Sequence, residues 1–558
     1  MAWAIRATHP RAGEERITTM TPGTDRARPL YGALVGLLTG AVAVGVGQLA
    51  ASLGSQNSSP LVAVGDASIG LAPQPVKNFA ISEFGSHDKT VLLIGIGVVL
   101  AIFAAVIGIL GTRRLAYGLA GLGVFTAIGL SAAGTRPGAD AGYYVPTLVA
   151  AAAGALTLIL LLRAIPGSQA SAGQEQAAGD TRTAGTTGGT RTAGTTGGTG
   201  TAGQDRRQFL VTSVTAAGAA VVAGLGGRVL AERGAVTQAR SSLRLPRAAQ
   251  MVAADLPPGA DFRIPGLSPF VTPNASFYRV DTALILPQVA PDSWTLRIHG
   301  MVGREIEVSF GELLRRPLIE TFVTLTCVSD PVDGPYIGNA RWLGASLASL
   351  IREARPRAGA DQILSTSTDG FTCGTPVQTV LDGRHALLAV AMNGQPLPVE
   401  HGFPVRMVVP GLYGYVSATK WVTDIKLTTF AAETAYWAQR GWSPQAVIKT
   451  ESRIDVPVSG ATKQAGRIPV AGVAWAQHRG IDAVHVRVDR GPWNQATLAA
   501  VPGIDTWRQW RWYWDATPGT HVIEARATDG TGRTQTGFAA PPEPNGASGY
   551  PSVQVTIS

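Results

Sequence analysis

The sequence predicts a protein of three parts: a helical membrane anchor, a mixed α+β domain and an all-β sandwich. Five long apolar runs lie in the N-terminal part, whereas residues 274–430 alternate strand-like runs with short helix-like pieces. Beyond residue 435 nearly every run is strand-like and ends in a turn. The composition fits a membrane part joined to a globular part, because 45% of the 558 residues are hydrophobic and only 15% are charged.

The apolar runs predict membrane-spanning helices, because each approaches the ~20 residues that a spanning helix needs. They are Leu30–Leu53, Val91–Gly111, Leu115–Gly134, Tyr144–Leu162 and Phe209–Gly227. The first four define a predicted four-helix transmembrane region at 29–166, preceded by a cytoplasmic leader at 1–28. The fifth run, rich in Gly, Ala and Thr, falls in the segment 206–235.

The charges that flank these runs predict their orientation, because Lys and Arg concentrate on the cytoplasmic side of a membrane. With the N-terminus in the cytoplasm, the outer loops hold only Lys77, Lys89 and Arg136. The cytoplasmic segments then hold Arg6, Arg11, Arg16, Arg26, Arg28, Arg113, Arg114, Arg163, Arg182, Arg191, Arg206 and Arg207. Five crossings place everything after residue 228 outside the cytoplasm.

The first four runs contain no His, Asp, Glu, Lys or Arg. A haem-carrying membrane subunit would need axial ligands such as His, and an ion pathway usually contains ionisable residues. We therefore predict no haem and interpret this region as an anchor or a docking surface for a partner.

A low-complexity segment at 167–205 separates the fourth and fifth runs and predicts a flexible linker. The sequence "DRRQFLVTS" follows at 205–213 and resembles a twin-arginine export signal, with Arg206 and Arg207 as the pair. The alternative is that two arginines mark the cytoplasmic end of a helix. The export route would suit a domain that receives a bulky cofactor before it crosses the membrane.

The outer region is predicted to form two domains, at 255–432 and 433–558. In the first, "SWTLRIHGMVG" and "KWVTDIKLTTF" predict strands, and "SFGELLRRP" predicts a short helix capped by Ser309. In the second, alternating strands over this length predict an immunoglobulin-like sandwich. The stretch "TWRQWRWYWD" places Trp510, Trp512 and Trp514 on one strand face, which favours a core or subunit-interface position.

The sequence disfavours nucleic acid as a partner. The formal net charge is +9, but the basic residues are scattered and no basic–aromatic stripe is present. We predict no nucleic-acid binding.

The chain holds two cysteines, Cys327 in "LTCVSDPVDG" and Cys373 in "GFTCGTP". From the residues alone, Cys327 could be half of a disulfide, a buried apolar residue, a nucleophile or a metal ligand. Zinc is disfavoured because no CxxC or HExxH pattern exists. His385 and His401 are available for a cysteine-protease arrangement, but no local signature supports one.

The segment 392–422, "MNGQPLPVEHGFPVRMVVPGLYGYVSATKWV", predicts an exposed, turn-rich loop. It presents three potential cations, His401, Arg406 and Lys420, which together suit a phosphorylated ligand. Each alone is more often a surface charge or a core histidine.

This segment resembles the molybdopterin-binding segment of the sulfite oxidase family. Other motifs occur in the family's order: "TPNASFYRVD", "LTCVSD", "GNARWLG", "STSTDGF" and "YWAQRGWSP". The resemblance covers 255–558 and implies a mononuclear molybdenum–molybdopterin cofactor, an α+β cofactor domain and an immunoglobulin-like dimerisation domain.

The resemblance implies roles for individual residues. Cys327 corresponds to the thiolate that binds molybdenum, and Arg279 to an arginine beside the metal in sulfite-oxidising members. Both are predicted catalytic residues. The predicted cofactor-binding residues are Asn274, Phe277, Tyr278, Thr366, Asp369, His401, Arg406, Ala418, Thr419 and Lys420.

Three departures from the family pattern put sulfite as the substrate in doubt. Two arginines expected after the cysteine are absent, and Val328 to Val332 read "VSDPV" instead. The family histidine two positions after the arginine is Asp281 here. A tyrosine expected near "YWAQRGW" is missing, although Arg440 lies nearby.

We therefore predict a molybdenum-cofactor oxidoreductase anchored in the cytoplasmic membrane of a bacterium, with its catalytic domain outside. Its expected partners are a small-molecule substrate, an external cytochrome or quinone-linked electron carrier, and a second copy of the chain. Two alternatives remain: a sulfoxide-reducing enzyme, and a surface binding protein that kept the fold without activity.

Overall fold

The structure is a computed structural model that describes residues 28–53, 58–71, 88–134, 141–165, 201–232, 235–252, 256–283 and 285–558. The predicted leader up to residue 27 and the predicted linker up to residue 200 lie outside the described residues. Contacts divide the chain into two compact units, and the second contains Val229–Ser558. The domain boundaries drawn inside the second unit stay predictions.

The N-terminal part is helical, as the apolar runs predict. Its helices are α1 (Arg28–Leu53), α2 (Pro60–Leu71), α3 (Asp88–Arg113), α4 (Leu115–Gly134), α5 (Val145–Arg163) and α6 (Thr201–Glu232). The short helix α2 was not predicted, because its 12 residues fall below the length used to recognise a spanning helix.

Four of these helices are long and apolar enough to cross a membrane: α1, α3, α4 and α5. The apolar part of α6, Phe209–Gly224, is shorter than theirs. Glycines bring α1 and α3 together, since a β-carbon on Gly36 would lie 1.9 Å from the carbonyl oxygen of Ala104. Close approach through small residues is how helices associate where no water drives packing.

Within the second unit, α7 (Ala235–Ser242) docks on the domain that follows. Val236 is buried in a cluster with Phe277 and Trp342. The Arg240 side chain donates hydrogen bonds to the carbonyl oxygens of Leu397 at 2.7 Å and Pro396 at 3.0 Å.

The middle of the chain is a mixed α+β domain, as predicted. Its strands are β1 (Gln250–Met251), β2 (Thr295–Gly300), β3 (Ile306–Ser309), β4 (Leu318–Thr326), β5 (Ile337–Ser346), β6 (Gln362–Ser367), β7 (Thr372–Pro376), β8 (Leu387–Met392), β9 (Gln395–Pro396), β10 (Arg406–Val408) and β11 (Val422–Thr428). Its helices are α8 (Phe310–Arg315), α9 (Leu347–Ala354) and α10 (Val377–Leu381).

These strands form two sheets. One has the order β1-β4-β5-β8-β10, with β9 beside β8, and the other has the order β3-β2-β11-β6-β7. The predicted cap of α8 is confirmed as a capping box, in which the Ser309 side chain accepts from the Glu312 backbone and the Glu312 side chain accepts in return.

The C-terminal part is built of strands, which confirms the all-β prediction. They are β12 (Glu451–Val456), β13 (Thr462–Lys463), β14 (Gly466–Trp475), β15 (Ile481–Val488), β16 (Asn494–Gln495), β17 (Thr497–Leu498), β18 (Arg508–Ala516), β19 (Gly519–Asp529) and β20 (Ser552–Ile557). They form two sheets, β12-β14-β18-β17 and β13-β20-β19-β15-β16. The immunoglobulin-like type of this part stays a prediction.

The tryptophan stripe of β18 belongs to the core. Trp510 and Trp514 are buried in one cluster with residues of both sheets, and Trp512 packs against that cluster. The core interpretation of the stripe is therefore confirmed.

Candidate functional site

The strand β4 ends at Thr326 and delivers Cys327 to the start of a turn. The Cys327 backbone N–H donates to the Tyr336 carbonyl at 2.9 Å, and its Sγ lies 2.9 Å from Ser329 Oγ. The side chain is half-buried, and burial raises the pKa of the thiol. Both cysteines are free, so the disulfide alternative is wrong. Cys373 is fully buried in β7, where it lies beside Ser365 and Thr419.

Two aromatic residues connect this cysteine to the segment 399–420. The Phe277 and Tyr278 rings stack with centroids 5.3 Å apart, and Phe277 stands edge-on to His401 at 5.5 Å. The pKa of Tyr278 is raised well above its usual value, chiefly by burial and then by the charge of Cys327, while Arg406 lowers it. The Tyr278 ring centroid also lies 6.5 Å from that of Tyr336, whose carbonyl accepts from the Cys327 backbone.

The three potential cations of the segment 392–422 are buried, and the prediction of an exposed loop is wrong. His401, Arg406 and Lys420 are only 3%, 5% and 9% exposed. Local composition misled the prediction, because the Pro- and Gly-rich stretch folds inward along β10. The Met407 backbone N–H, for example, donates to the carbonyl oxygen of Thr419 at 2.8 Å.

His401 is neutral at physiological pH. Burial, followed by the charges of Arg406 and Lys420, lowers its pKa to about 3. Its Nε2 lies 3.3 Å from the carbonyl oxygen of Asn274. The site therefore has two cations in this segment rather than the three that the sequence suggested, and His401 is available as a neutral hydrogen-bonding group.

Arg406 is a buried cation held by carbonyl groups. It donates to the carbonyl oxygens of His401 at 3.2 Å and of Ala418 and Met407 at 3.4 Å. Within the described part of the chain, no carboxylate forms an ion pair with it. Burial lowers the pKa of its guanidinium to about 10. Such a charge calls for an anion, which a phosphorylated cofactor would supply.

The backbone at Gly402 has a form that only glycine adopts readily. Its φ is +109°, and a β-carbon there would meet the Arg406 Cβ at 3.0 Å and the Lys420 Cβ at 3.1 Å. Glycine thus lets the stems of the two cations approach each other. Buried donors around a glycine fit the phosphate end of a pterin cofactor.

Lys420 and Arg279 share one carboxylate, that of Asp281. The Asp281 Oδ2 accepts from Lys420 Nζ at 2.7 Å and from Arg279 Nε at 2.8 Å. Lys420 also donates to the Glu400 carbonyl at 3.1 Å. Burial lowers the pKa of Lys420 to about 8, and Asp281 opposes that shift.

The remaining predicted residues frame this cluster. Asn274 accepts a hydrogen bond from Asn393 at 2.8 Å, and Asp369 accepts one from Thr282 at 3.4 Å. The Thr419 hydroxyl lies 2.7 Å from the Ser365 hydroxyl. Thr366 lies in β6 opposite Thr372, and in the described part of the chain no side-chain hydrogen bond joins it to the other predicted residues.

Asp281 is the residue whose position the sequence interpretation missed. In the sequence it is recognised only as the replacement of a histidine. Its spacing from Arg279 could have suggested the pair, since residues two apart in extended backbone point to the same side. Its contact with Lys420 could not have been read, because 139 residues separate the two.

Comparison with known proteins matches this region to one family. A family model described as an oxidoreductase molybdopterin binding domain matches residues 283–437. Sulfite oxidase of Gallus gallus is 31% identical over 325 residues, which cover 49% of this chain and 69% of the chicken protein. The oxidoreductase YuiH of Bacillus subtilis is 30% identical over 149 residues, covering 27% of this chain and 72% of that protein.

Mitochondrial sulfite oxidase of Rattus norvegicus is 30% identical over 272 residues, which are 41% of this chain. The chain spans 49% of the length of the rat protein. The matched region contains the cysteine and the buried cations described above. The chain therefore belongs to the sulfite oxidase family of molybdopterin-dependent oxidoreductases.

Proposed function

We propose that the protein is a membrane-anchored molybdenum-cofactor oxidoreductase that transfers an oxygen atom to or from a small molecule other than sulfite. Its site would lie outside the cytoplasmic membrane of a bacterium. The observation that carries the proposal is a free, half-buried thiol, Cys327, in the same domain as the buried charge of Arg406, which no carboxylate pairs with in the described residues.

The chain's residues fit the two ends of such a cofactor. Cys327 would provide a soft sulfur ligand to the metal. Arg406, Lys420 and neutral His401 would hold the phosphate, while the backbone at Ala418 and Thr419 and the side chains of Asn274, Phe277, Thr366 and Asp369 would frame the pterin. When bound, the cofactor supplies two-electron oxygen-atom transfer.

Oxidation in this scheme takes an oxygen atom from water and releases two protons and two electrons. The electrons require an acceptor, for which we propose an external cytochrome or a quinone-linked carrier. The C-terminal sandwich is the proposed surface for a homodimer with two-fold symmetry.

The turn that follows Cys327 supports a substrate other than sulfite. Its charged member near the cysteine is Asp330, which is 4% exposed and accepts a hydrogen bond from the Tyr336 backbone at 2.8 Å. Burial raises the pKa of Asp330 to about 7. A carboxyl group at this place does not attract a dianion.

Metal analysis of the full-length protein, expressed with a twin-arginine export system and molybdenum, tests the proposal. We expect about one molybdenum per chain. Cys327→Ser should abolish turnover, whereas Asp382→Asn, at an exposed position outside the predicted site, should keep it. Sulfite oxidation and sulfoxide reduction are assayed in parallel. We expect no turnover of sulfite. The proposal would be contradicted if the wild-type protein contained no molybdenum and Cys327→Ser left its properties unchanged.

A further inference from the structure

Asp281 occupies the space between two cations of the site. Its side chain is 3% exposed, that of Lys420 is 10% exposed, and that of Arg279 is 40% exposed. Besides the two contacts of Oδ2, the Oδ1 atom accepts from Arg279 Nη2 at 3.4 Å. A buried carboxylate thus holds a guanidinium that reaches toward the surface.

This pairing uses one of the two edges of Arg279 that can bind an oxyanion. A guanidinium recognises carboxylate, sulfite or phosphate through two parallel N–H donors. Here Nε and Nη2 are both directed to Asp281. Neither of these hydrogen bonds uses the Nη1 group, but an oxyanion bound there would meet a guanidinium whose charge the buried carboxylate already balances.

The charges of the cluster lead to the same conclusion. In the proposed function, Arg406 and Lys420 together compensate the phosphate of the cofactor. Asp281 then compensates Arg279, so that no unpaired cation among these four residues remains for the substrate. A substrate without negative charge avoids this conflict.

We propose that Asp281 is a specificity-determining residue that holds Arg279 and excludes oxyanions, so that the substrate is an uncharged or cationic small molecule. This inference rests on the proposed function for the position of the substrate. The pairing of Asp281 with Arg279 is observed independently of the proposed function.

Sulfate binding to the full-length protein in detergent tests the inference, because sulfate is an oxyanion that carries the charge of sulfite without reacting. Isothermal titration is performed on wild type, Asp281→Asn and the double variant Asp281→Asn/Arg279→Ala. We expect Asp281→Asn to bind sulfate at least about tenfold more tightly than wild type, because asparagine cannot neutralise the guanidinium. The double variant should lose most of this gain, because the Lys420 that also loses Asp281 is only 10% exposed, whereas Arg279 is 40% exposed.

Asp382→Asn is the matched control. Asp382 pairs with Arg384 at the same two-residue spacing, with Nη2 and Oδ2 2.6 Å apart, and lies outside the predicted site. Because the Arg384 side chain is only 10% exposed, against 40% for Arg279, its release from Asp382 should leave sulfate affinity unchanged. An Asp281→Asn variant that gains no affinity overturns the inference, as does a gain that survives in the double variant or is matched by Asp382→Asn.

Molybdenum is measured on the same samples, which separates the two hypotheses. Absence of the metal would count against the proposed function alone. The sulfate affinities of wild type, Asp281→Asn and the double variant would still decide whether Asp281 prevents Arg279 from binding anions.

Discussion

The guanidinium of Arg406 lies over the ring of Trp342, 5.1 Å from its centroid, and donates to the carbonyl groups of three residues. At the scale of the residue, this is a buried charge that the protein alone leaves uncompensated. Desolvation of a charge is unfavourable unless a counter-charge accompanies it. Stability and cofactor binding therefore place opposite demands on Arg406.

Replacing Arg406 with methionine should separate these demands. We expect Arg406→Met to stabilise the cofactor-free protein by about 1–4 kcal/mol, because a buried charge is replaced by an apolar side chain of similar length. The same change should lower the molybdenum content at least about tenfold, since charge-assisted hydrogen bonds to the phosphate are lost. Thermal unfolding in detergent and metal analysis measure the two effects.

Arg453→Met is the control for this prediction. The Nε of Arg453 lies 2.7 Å from Asp455, so this arginine has the carboxylate partner that Arg406 lacks. Its replacement should destabilise the protein and leave Asp455 without its cation. Equal destabilisation by both changes would mean that Arg406 is an ordinary structural arginine.

At the scale of the element, the end of β4 is held by the C-terminal sandwich. The Thr324 backbone N–H donates to the carbonyl of Asp505 at 2.9 Å, and Thr324 Oγ1 accepts from the Trp507 backbone at 2.7 Å. Gln477 Nε2 donates to the Thr324 carbonyl and to Thr326 Oγ1, each at 3.1 Å.

Beyond the cysteine, Arg453 donates to the Gly334 carbonyl at 3.0 Å. The sandwich therefore positions both sides of the turn that carries Cys327.

Loss of this support should expose Cys327 without exposing Cys373. We expect Gln477→Leu to speed alkylation of Cys327 in the cofactor-free protein about tenfold, because two hydrogen bonds of about 0.7 kcal/mol each are lost. Mass spectrometry of iodoacetamide-treated protein measures both cysteines at once, and Cys373 is the internal reference.

The control is Gln554→Leu, which changes an exposed residue of β20 in the same sandwich. It should leave both thiols at their wild-type rates. Equal acceleration at both cysteines in Gln477→Leu would indicate general loosening and would count against local support of the turn.

At the scale of the whole molecule, α6 joins the apolar helices to the second unit along the chain. Arg206 and Arg207 lie within this helix, which begins at Thr201, and Arg207 is exposed. Their position in a helix suits both interpretations of the pair, as an export signal and as charges at the cytoplasmic end of a spanning segment. Only conservative replacement separates the two.

The double variant Arg206→Lys/Arg207→Lys keeps the charge and removes the arginines. If the pair is an export signal, a C-terminal tag should become resistant to protease added to spheroplasts, because the folded domain stays inside. Arg113→Lys/Arg114→Lys, a second adjacent pair on the predicted cytoplasmic side, should leave the tag accessible. Unchanged accessibility in both double variants would restrict Arg206 and Arg207 to a topological role.

The sequence by itself determined the apolar helices, the all-β C-terminal part, the cap at Ser309 and the family to which the cysteine motif belongs. These features depend on residues close together in the chain, or on a motif long enough to be specific. It also indicated, through Asp281 and the turn after Cys327, that the site departs from its relatives.

Only the tertiary structure decided which of these residues are buried and which charges meet. The segment that carries Arg406 and Lys420 was predicted as an exposed loop from its prolines and glycines, yet it lies in the core. In the sequence, Asp281 is recognised only as standing where the family has a histidine. In the fold it is an ion-pair partner of Arg279 and Lys420. Burial and long-range pairing depend on chain segments more than a hundred residues apart, and local sequence does not encode which of them come together.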